Sequence, residues 1–518
     1  MAAQYNKYAW QQVEQGVWQR SVDEIEQAYA VLSKLYEGSG RMFFAITGHI
    51  SLSFNSLDSL DDGSDTRVDT ALRKAWLTLR HDHPTIASQV KYNAGMNSFT
   101  KLYRTIPTIA DQQVWLDQTF VKVSTNQTGS EWANNDPPAP ELPTLFVITP
   151  PSLPREGNRP GLICRDLVLR SPHDVIDGVG TLLLLGNLVN IGSKAYNQGS
   201  LFQLPTFDDG SEFGNMSPPF RVAANLPKSL TERQQQRLAN VAALKEQQLE
   251  SNIPLLLIPW KKGEVVPGMH QRIALTISQE KTSKLLHACS YIGVTVTHLF
   301  HAAIPIMMRD LQTKGPKQQR ARYVSYILRN ERGNCTEPYN SAKHPAALYH
   351  SGSGTSLLVD INIPATGDNN TLEQHRAESK EFFRVLQEMK KFYHDIRDDA
   401  EHFQLAPYYW AAGTRELPPA VKGPLAVPPP SAQPSVSISS LGIVDKIIPP
   451  EAGAISVFDP WVTGEELRNG LGFFLGTYRN QLCLSAAYNA AWHSKQEVEK
   501  YLETCVDVVF RGLESYIF

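Results

Sequence analysis

A chain of 518 residues is long enough for about three domains of ordinary size, or two large ones, each with its own core. Apolar residues make up 42% and charged residues 19%, which excludes wholesale disorder. The 49 Lys and Arg nearly balance 52 Asp and Glu, a formal net charge of -3, so no global field draws the protein onto nucleic acid or an anionic membrane, and small neutral partners fit better.

The amino terminus has no apolar signal region, and the most apolar stretch, Leu182 to Val189, is short and broken by Gly186 and Asn187. This predicts neither export nor membrane spanning and places the chain in the cytoplasm. Five cysteines (Cys164, Cys289, Cys335, Cys483 and Cys505), odd in number and never C-x-x-C, argue against a disulfide framework and a thiolate zinc site, and fit a reducing compartment.

The first predicted element is a helix after Ser21, with Glu24 as its capping-box partner and apolar positions from Ile25 to Leu35 at helical spacing. A strand over Met42 to Phe54 follows, then a helix marked by Val68, Leu72, Ala75, Trp76 and Leu79 that ends before His83-Pro84. Proline-rich stretches over 136–143 and 149–160 flank a strand at Leu145 to Ile148. A second strand runs from Gly161 to Leu169, and an apolar helix starts near Val179. Ser229 and Glu232 predict the cap of a surface helix running towards Glu250.

In the second half, strands are predicted at Ile253 to Ile258 and Gln271 to Ile277, then a helix stopped by Gly293 and another capped by Thr295, which Pro305 should kink or break. A charged helix spans about Leu372 to Glu401, and the prolines of 418–434 read as an extended crossover. A strand from Gln481 to Tyr488 and a helix capped by Ser494 and Glu497 close the chain.

Signatures for serine hydrolases, zincins, P-loop NTPases and dinucleotide-binding proteins are absent from the sequence. What remains is Ser171-Pro172-His173-Asp174-Val175-Ile176-Asp177-Gly178, an H-x-x-x-D-G segment between a predicted strand and a predicted helix. A histidine just past a strand end can aim one ring nitrogen into a cleft and serve as a general base, because imidazole titrates near the working pH. Asp177 is better suited to an ion pair that holds the loop, and Gly178 would let the backbone bend or approach a ligand. His394-Asp395-Ile396-Arg397-Asp398 repeats H-x-x-x-D inside the charged helix and reads as a solvated face. His83, His287, His298 and His301 read as core or capping residues, and no metal cluster emerges from them.

On these residues the chain resembles the CoA-dependent acyltransferase superfamily, which includes chloramphenicol acetyltransferase, plant BAHD acyltransferases and peptide-synthetase condensation domains. Similar features run along the chain: Ala71 to Leu79 leading into His83-Pro84, the H-x-x-x-D-G, Leu285 to Cys289 before Gly293-Val294-Thr295, and Gly476 to Leu482 before Ala487-Tyr488-Asn489. Length and Ser439-Ser440-Leu441-Gly442 are most like fungal trichothecene 15-O-acetyltransferase-like proteins. The resemblance implies a mixed α/β fold of two chloramphenicol-acetyltransferase-like domains, residues 1–225 and 226–518, the second with crossover segments, and a tunnel between them.

It further implies an acyl-CoA co-substrate, acetyl-CoA foremost, no metal, a small hydroxylated acceptor such as a terpenoid or polyketide, and a monomer. His173 matches the general base and Asp177 the structural acid. Arg329 resembles the arginine paired with that acid, and Gly178, Ser439 and Ser440 fall where substrate and the oxyanion are held. Pro172 replaces the first histidine of the condensation-domain motif, and Phe458-Asp459-Pro460-Trp461 stands where BAHD enzymes carry D-F-G-W-G, leaving Asp459 as a brace of the second half or an ordinary turn. Lys261 and Lys262 could meet CoA phosphates or belong to a solvated loop. A carrier-protein thioester as donor, or a non-catalytic binding module, are the alternatives in the same fold.

Overall fold

The computed structural model describes residues 6–55, 64–151, 162–207, 210–249, 252–366, 372–419 and 421–514. In chain order the first half contains β1 (Gln11–Glu14), β2 (Val17–Ser21), α1 (Glu24–Tyr36), β3 (Ile46–Phe54), α2 (Ser64–Asp82), β4 (Ser88–Asn93), β5 (Ser98–Arg104), α3 (Ile109–Thr119), β6 (Phe120–Val123), α4 (Gly129–Ala133), β7 (Thr144–Ile148), β8 (Ile163–Ser171), α5 (Gly178–Gln198), α6 (Phe220–Ala223) and α7 (Glu232–Leu249). The second contains β9 (His270–Ile277), α8 (Gln279–Ile292), α9 (Val296–Asp310), β10 (Gln319–Ser325), β11 (Leu328–Asn330), β12 (His350–Gly352), β13 (Leu357–Ile363), α10 (Leu372–Arg397), α11 (His402–Gly413), β14 (Val436–Ile443), β15 (Glu451–Ala452), β16 (Ile455–Gly464), β17 (Leu471–Tyr478), β18 (Gln481–Asn489) and α12 (Lys495–Gly512).

Among the described residues the strands form five sheets, and two of them frame the site. Six strands in the order β15-β16-β3-β8-β7-β6 form one, antiparallel except for β6 beside β7, and four in the order β14-β17-β18-β9 form the other, with β14 parallel to β17. β3 and β8 are buried along nearly their whole length, although β3 alternates Thr47, His49, Ser51 and Ser53 with apolar residues and β8 carries Arg165, Asp166 and Arg170. Helices α2 and α5 pack together beside the six-stranded sheet, and α9, α10 and α12 pack together beside the second sheet and β13.

Each half has its own apolar core, but the partition is not a clean cut of the chain. Val444, Ile448, Ala454, Ile455, Val457 and Val462 from the second half join the first half's core. β16 pairs with β3 from Ile455↔Phe54 to Gly464↔Ile46, next to the centre of the first sheet. A smaller cluster joins Ile25 and Tyr29 of α1 to Phe220, Ala347, Leu348, Tyr349 and Ala406 from the later chain.

Local chemistry departs from the sequence expectation at several elements. Asp23, not Ser21, caps α1: it accepts from the Ile25 and Glu26 N–H groups and Glu26 closes the capping box, while Ser21 is still paired with Thr100 in the β2–β5 ladder. Likewise Thr231 and Gln234, rather than Ser229 and Glu232, hold the start of α7 reciprocally. Residues 253–258 make no named strand. The Arg322 N–H donates to the Pro254 carbonyl and the Leu256 N–H to the Arg322 carbonyl, and prolines 254 and 259 lack the donors a longer ladder needs.

Pro305 lies inside an uninterrupted α9, whose residues His298 to Arg309 are all buried. That burial outweighs the roughly 3 kcal/mol that an interior proline costs. The charged helix stops at Arg397, and α11 follows as a separate helix. The second proline-rich stretch lies outside the described residues from 152 to 160, as do the predicted strand start at Gly161 and the predicted helix end at Glu250. Among the described residues no single helix is long and apolar enough to cross a membrane.

Candidate active site

β8 ends at Ser171, and the chain turns through Pro172 to Asp177 before α5 begins. Asp177 is the N-cap of α5: Oδ1 accepts from the Gly180 N–H at 2.7 Å. Its other oxygen accepts from Arg332 Nη1 at 2.9 Å and from the Tyr349 N–H at 3.0 Å. The Arg332 guanidinium, the His350 ring and these N–H groups hold the buried carboxylate well below the usual range, against the upward pull of burial. Asp177 is thus a cap and an ion-pair partner that fixes where the His173 loop enters α5.

The arginine in that pair is Arg332, and this corrects the expectation for Arg329. Arg329 lies in β11 opposite Ser351, donates to the Ile396 carbonyl at 3.1 Å, and comes no nearer to a carboxylate than 3.6 Å, at Glu331. The short helical turn after β11 carries the chain round, so that Arg332, three residues on, faces the cap.

Gly178 makes no sharp bend. It lies in the first turn of α5 with no positive φ, and an added Cβ would meet only Val462 at 3.7 Å and Leu441 at 4.0 Å. The glycine that the packing requires is Gly180, where a Cβ would fall 2.2 Å from the Pro345 carbonyl oxygen.

The His173 ring is half-buried and stacks on Tyr29 of α1, centroids 3.9 Å apart and planes at 19°. Its Nδ1 is sealed from solvent and makes no hydrogen bond of full geometry, while the His173 and Ile176 backbone carbonyls lie near the ring. Close packing, and then the neighbouring His350 ring, push the imidazole down to about 3; the backbone carbonyls of His173 and Ile176 and the Asp177 carboxylate act in the opposite sense. At neutral pH the ring therefore carries a free lone pair. From β5, Lys101 Nζ donates to the Asp174 carbonyl at 2.9 Å and to Glu26 Oε1 at 2.8 Å, pinning the loop from below.

Around the imidazole stand residues that the sequence analysis did not single out. The Tyr29 hydroxyl lies 3.0 Å from His350 Nε2, and His350 Nδ1 lies 3.6 Å from Asp177 Oδ2. Trp410 of α11 packs against both Tyr29 and His350. These come from α1, β12 and α11, so no local spacing in the sequence signals their meeting.

β14 approaches the same loop from the second half, with Leu441 beside Gly178. The parallel ladder to β17 is irregular between Ser440 and Gly442. Ser439 is half-buried; Ser440 is exposed and accepts a hydrogen bond from the Thr297 hydroxyl at 2.8 Å, which leaves its own proton free to donate.

Asp459 sits at the bulge of β16 with φ 46°. Its carbonyl accepts from His49 Nδ1 at 2.9 Å and its carboxylate from the Ser130 hydroxyl at 3.4 Å. Both partners belong to the first half, so Asp459 neither makes an ordinary turn nor braces the second half. His83 joins the Lys343 carbonyl and Asn187, and His301 joins Tyr323 and Tyr393. Among the described residues no group of His, Cys, Asp or Glu is arranged to hold a metal ion.

No protein-family profile matches the chain. In sequence it is similar to the acetyltransferase pigO of Monascus ruber, 24% identical over 520 residues that cover 97% of this chain and 98% of that protein. It is also similar to the O-acetyltransferase pigM of the same fungus, 25% identical over 503 residues, 95% of this chain and 85% of that one. In structure it is similar to the TRI3 trichothecene 15-O-acetyltransferase of Fusarium sporotrichioides, with a TM-score of 0.76 at 16% identity and 98% of each chain covered. The first condensation domain of the calcium-dependent antibiotic synthetase follows at TM-score 0.56 and 13% identity, covering 95% of this chain and 96% of that one. The mixed α/β fold expected from the resemblance is the fold of this chain, and its relatives in sequence are fungal acetyltransferases.

Proposed function

We propose that the protein is an acyl-CoA-dependent O-acyltransferase that moves an acyl group, acetyl foremost, to a hydroxyl of a small secondary metabolite of terpenoid or polyketide type. The observation that carries this reading is His173: a neutral, partly exposed imidazole at the strand-to-helix loop, beside an acid already committed to an arginine.

His173 acts as the general base in this mechanism. An alcohol is a poor nucleophile while it keeps its proton, and an unprotonated imidazole within hydrogen-bond reach removes that proton as the oxygen attacks the thioester carbonyl. The carbon–oxygen bond forms, negative charge collects on the former carbonyl oxygen, and collapse breaks the carbon–sulfur bond. The imidazolium then returns its proton to the departing thiolate, so the base is regenerated without an acyl-enzyme. Asp177, which caps α5 and pairs with Arg332, holds geometry and carries no proton.

The Ser440 hydroxyl has its acceptor site filled by Thr297 and its donor free, which suits an oxyanion partner; Ser439, two residues before Leu441, is its neighbour in that role. Without a side chain, Gly178 would leave a ligand the room that a Cβ would take beside Val462 and Leu441. Donor and acceptor would meet at His173 between the two halves, reached through a tunnel. Cys335 lies in the nearby cluster, but burial pushes its thiol up to about 12, so it supplies no nucleophile.

The test is turnover of acetyl-CoA with a panel of hydroxylated terpenoids and polyketides by the wild type and His173→Ala. The variant is expected to lose about 10²- to 10⁴-fold in kcat while still binding CoA. Near-wild-type turnover by the variant would refute the mechanism. Activity only with an acyl group loaded on a carrier protein would replace the donor, and failure to bind any acyl donor would point to a binding module.

A further inference from the structure

Glu465 and Glu466 follow β16 side by side, and the fold treats them differently. Glu465 is buried and paired with Arg170 at 3.2 Å. The main chain of Glu466 is fixed, its N–H donating to His270 Nδ1 at 3.0 Å and its carbonyl accepting from Asn489 at 3.1 Å. Its carboxyl, among the described residues, makes no hydrogen bond and no ion pair, and the Arg468 guanidinium attracts it without contact. Burial pushes that carboxyl up to about 7. An acid left unpartnered in an enclosed place costs stability, and such costs are carried where a ligand supplies the partner.

The place is a cavity wall beside the reaction centre. Glu466 Oε1 lies 3.3 Å from where a Cβ on Gly472 would fall, and Gly472 is opposite Ser437 in the β14–β17 ladder. Ser437 and Ser439 share one face of β14, so the carboxyl borders a ladder row about 7 Å along the strand from Ser439. Tyr326, in the link between β10 and β11, is 46% exposed, yet burial raises its hydroxyl. A side chain open to water at short range and enclosed by protein at longer range lines an internal cavity. The Ser437 hydroxyl and the Glu466 carboxyl both act on the Tyr326 hydroxyl, which in turn acts on Tyr29 beside His173. Tyr36 of α1, Arg468 and Tyr326 are the charged and titratable groups that face Glu466. The rest of that flank is apolar, with Leu467 packed against Tyr36 and Phe43.

We propose that Glu466 is a specificity-determining residue that receives a second polar group of the acceptor, a hydroxyl or an amine remote from the hydroxyl that is acylated. The acceptor is then a diol or an amino alcohol on an apolar skeleton, not a simple alcohol. Acyl-CoA does not fill this role, because its phosphates carry the same sign of charge as the carboxylate. The proposal deepens the acyltransferase reading and rests on it for the class of ligand, but the carboxyl selects among ligands whether or not transfer follows.

The test gives wild type, Glu466→Gln and Glu466→Leu a decalin mono-ol, the diols that add a hydroxyl at each remote ring carbon, and the corresponding amino alcohols. Two readouts are taken: kcat/KM for each compound with acetyl-CoA, and calorimetric binding of each compound without a donor.

Wild type should prefer its best diol or amino alcohol to the mono-ol by at least about 100-fold, mainly in KM. Glu466→Leu should lose that preference to within about threefold and take the mono-ol better than wild type does, since no unpaired acid then faces the skeleton. Glu466→Ala makes the same comparison if Glu466→Leu does not fold. Glu466→Gln should keep the preference where the partner is a hydroxyl, because the amide oxygen still accepts, and lose it where the partner is an amine. No preference in wild type, the same preference in Glu466→Leu, or a loss confined to acetyl-CoA binding would overturn the proposal. Wild-type protein that binds the diols and transfers nothing would instead refute the acyltransferase reading, while the binding preference would still judge Glu466.

Discussion

Asp177 uses both carboxylate oxygens, one on the Gly180 N–H and the other on Arg332 and the Tyr349 N–H, and both charged partners are about 5% exposed. Arg332→Ala would leave a buried carboxylate without its counter-charge, a loss of about 3–5 kcal/mol. Arg329→Ala, which removes a half-exposed group bonded to one carbonyl, should change stability by less than about 1 kcal/mol. Urea unfolding of the two variants checks the contrast.

The ion-pair role of Asp177 is legible in the sequence from its place in the H-x-x-x-D-G segment, and the structure adds the helix cap. Its partner is not. Choosing Arg332 over Arg329 depends on the turn after β11, and Tyr29 and His350 reach His173 from 144 residues before it and 177 after it. Such meetings are set by tertiary packing and leave no local spacing to read.

At the level of elements, α5 is the support of the site, and its first turn runs against the carbonyl of Pro345. Gly180→Ala would drive a Cβ into backbone that cannot give way, costing about 1–3 kcal/mol and displacing the cap. Gly178→Ala, in ordinary contact only and in the same turn, should be neutral or slightly stabilising. Thermal unfolding separates them, with only Gly180→Ala expected to lower Tm.

Amphipathic helices such as α1, α2 and α12 are legible from their apolar spacing. Misplaced starts, as at α1 and α7, arise because two overlapping Ser/Thr/Asp and Glu/Gln pairs compete and the strand or loop before the helix decides which is free. α9 continues past Pro305 because a core on every side outweighs the missing donor, a balance that single-residue rules do not contain.

Across the molecule, acid lability follows from buried neutral imidazoles. Burial lowers His83, His173, His270, His298, His301 and His344 to about 3–4. Below about pH 6.5 the unfolded chain takes up protons that these folded rings refuse, so stability falls as pH falls. Asp23, Asp174 and Glu466, raised to about 6–7 mainly by burial, act oppositely, since the folded chain keeps their protons up to that range and gains stability on acidification below it. Six groups against three give a net loss, and Tm should drop between pH 7 and pH 5.5, measured by scanning calorimetry.

The mixed α/β class was readable from the order of periodic segments, whereas the loan of β15 and β16 to the first sheet was not, because a strand's own sequence does not say which sheet it joins. Residues 1–225 expressed alone would present β3 as an unpaired edge and are expected to aggregate in size-exclusion chromatography. For anyone grafting one acceptor preference onto another, a splice at the midpoint would separate β3 from its neighbour. A transplant of the amino-terminal portion has to bring 451–464 along as its passenger, and the recipient must be opened at two places in the chain rather than one.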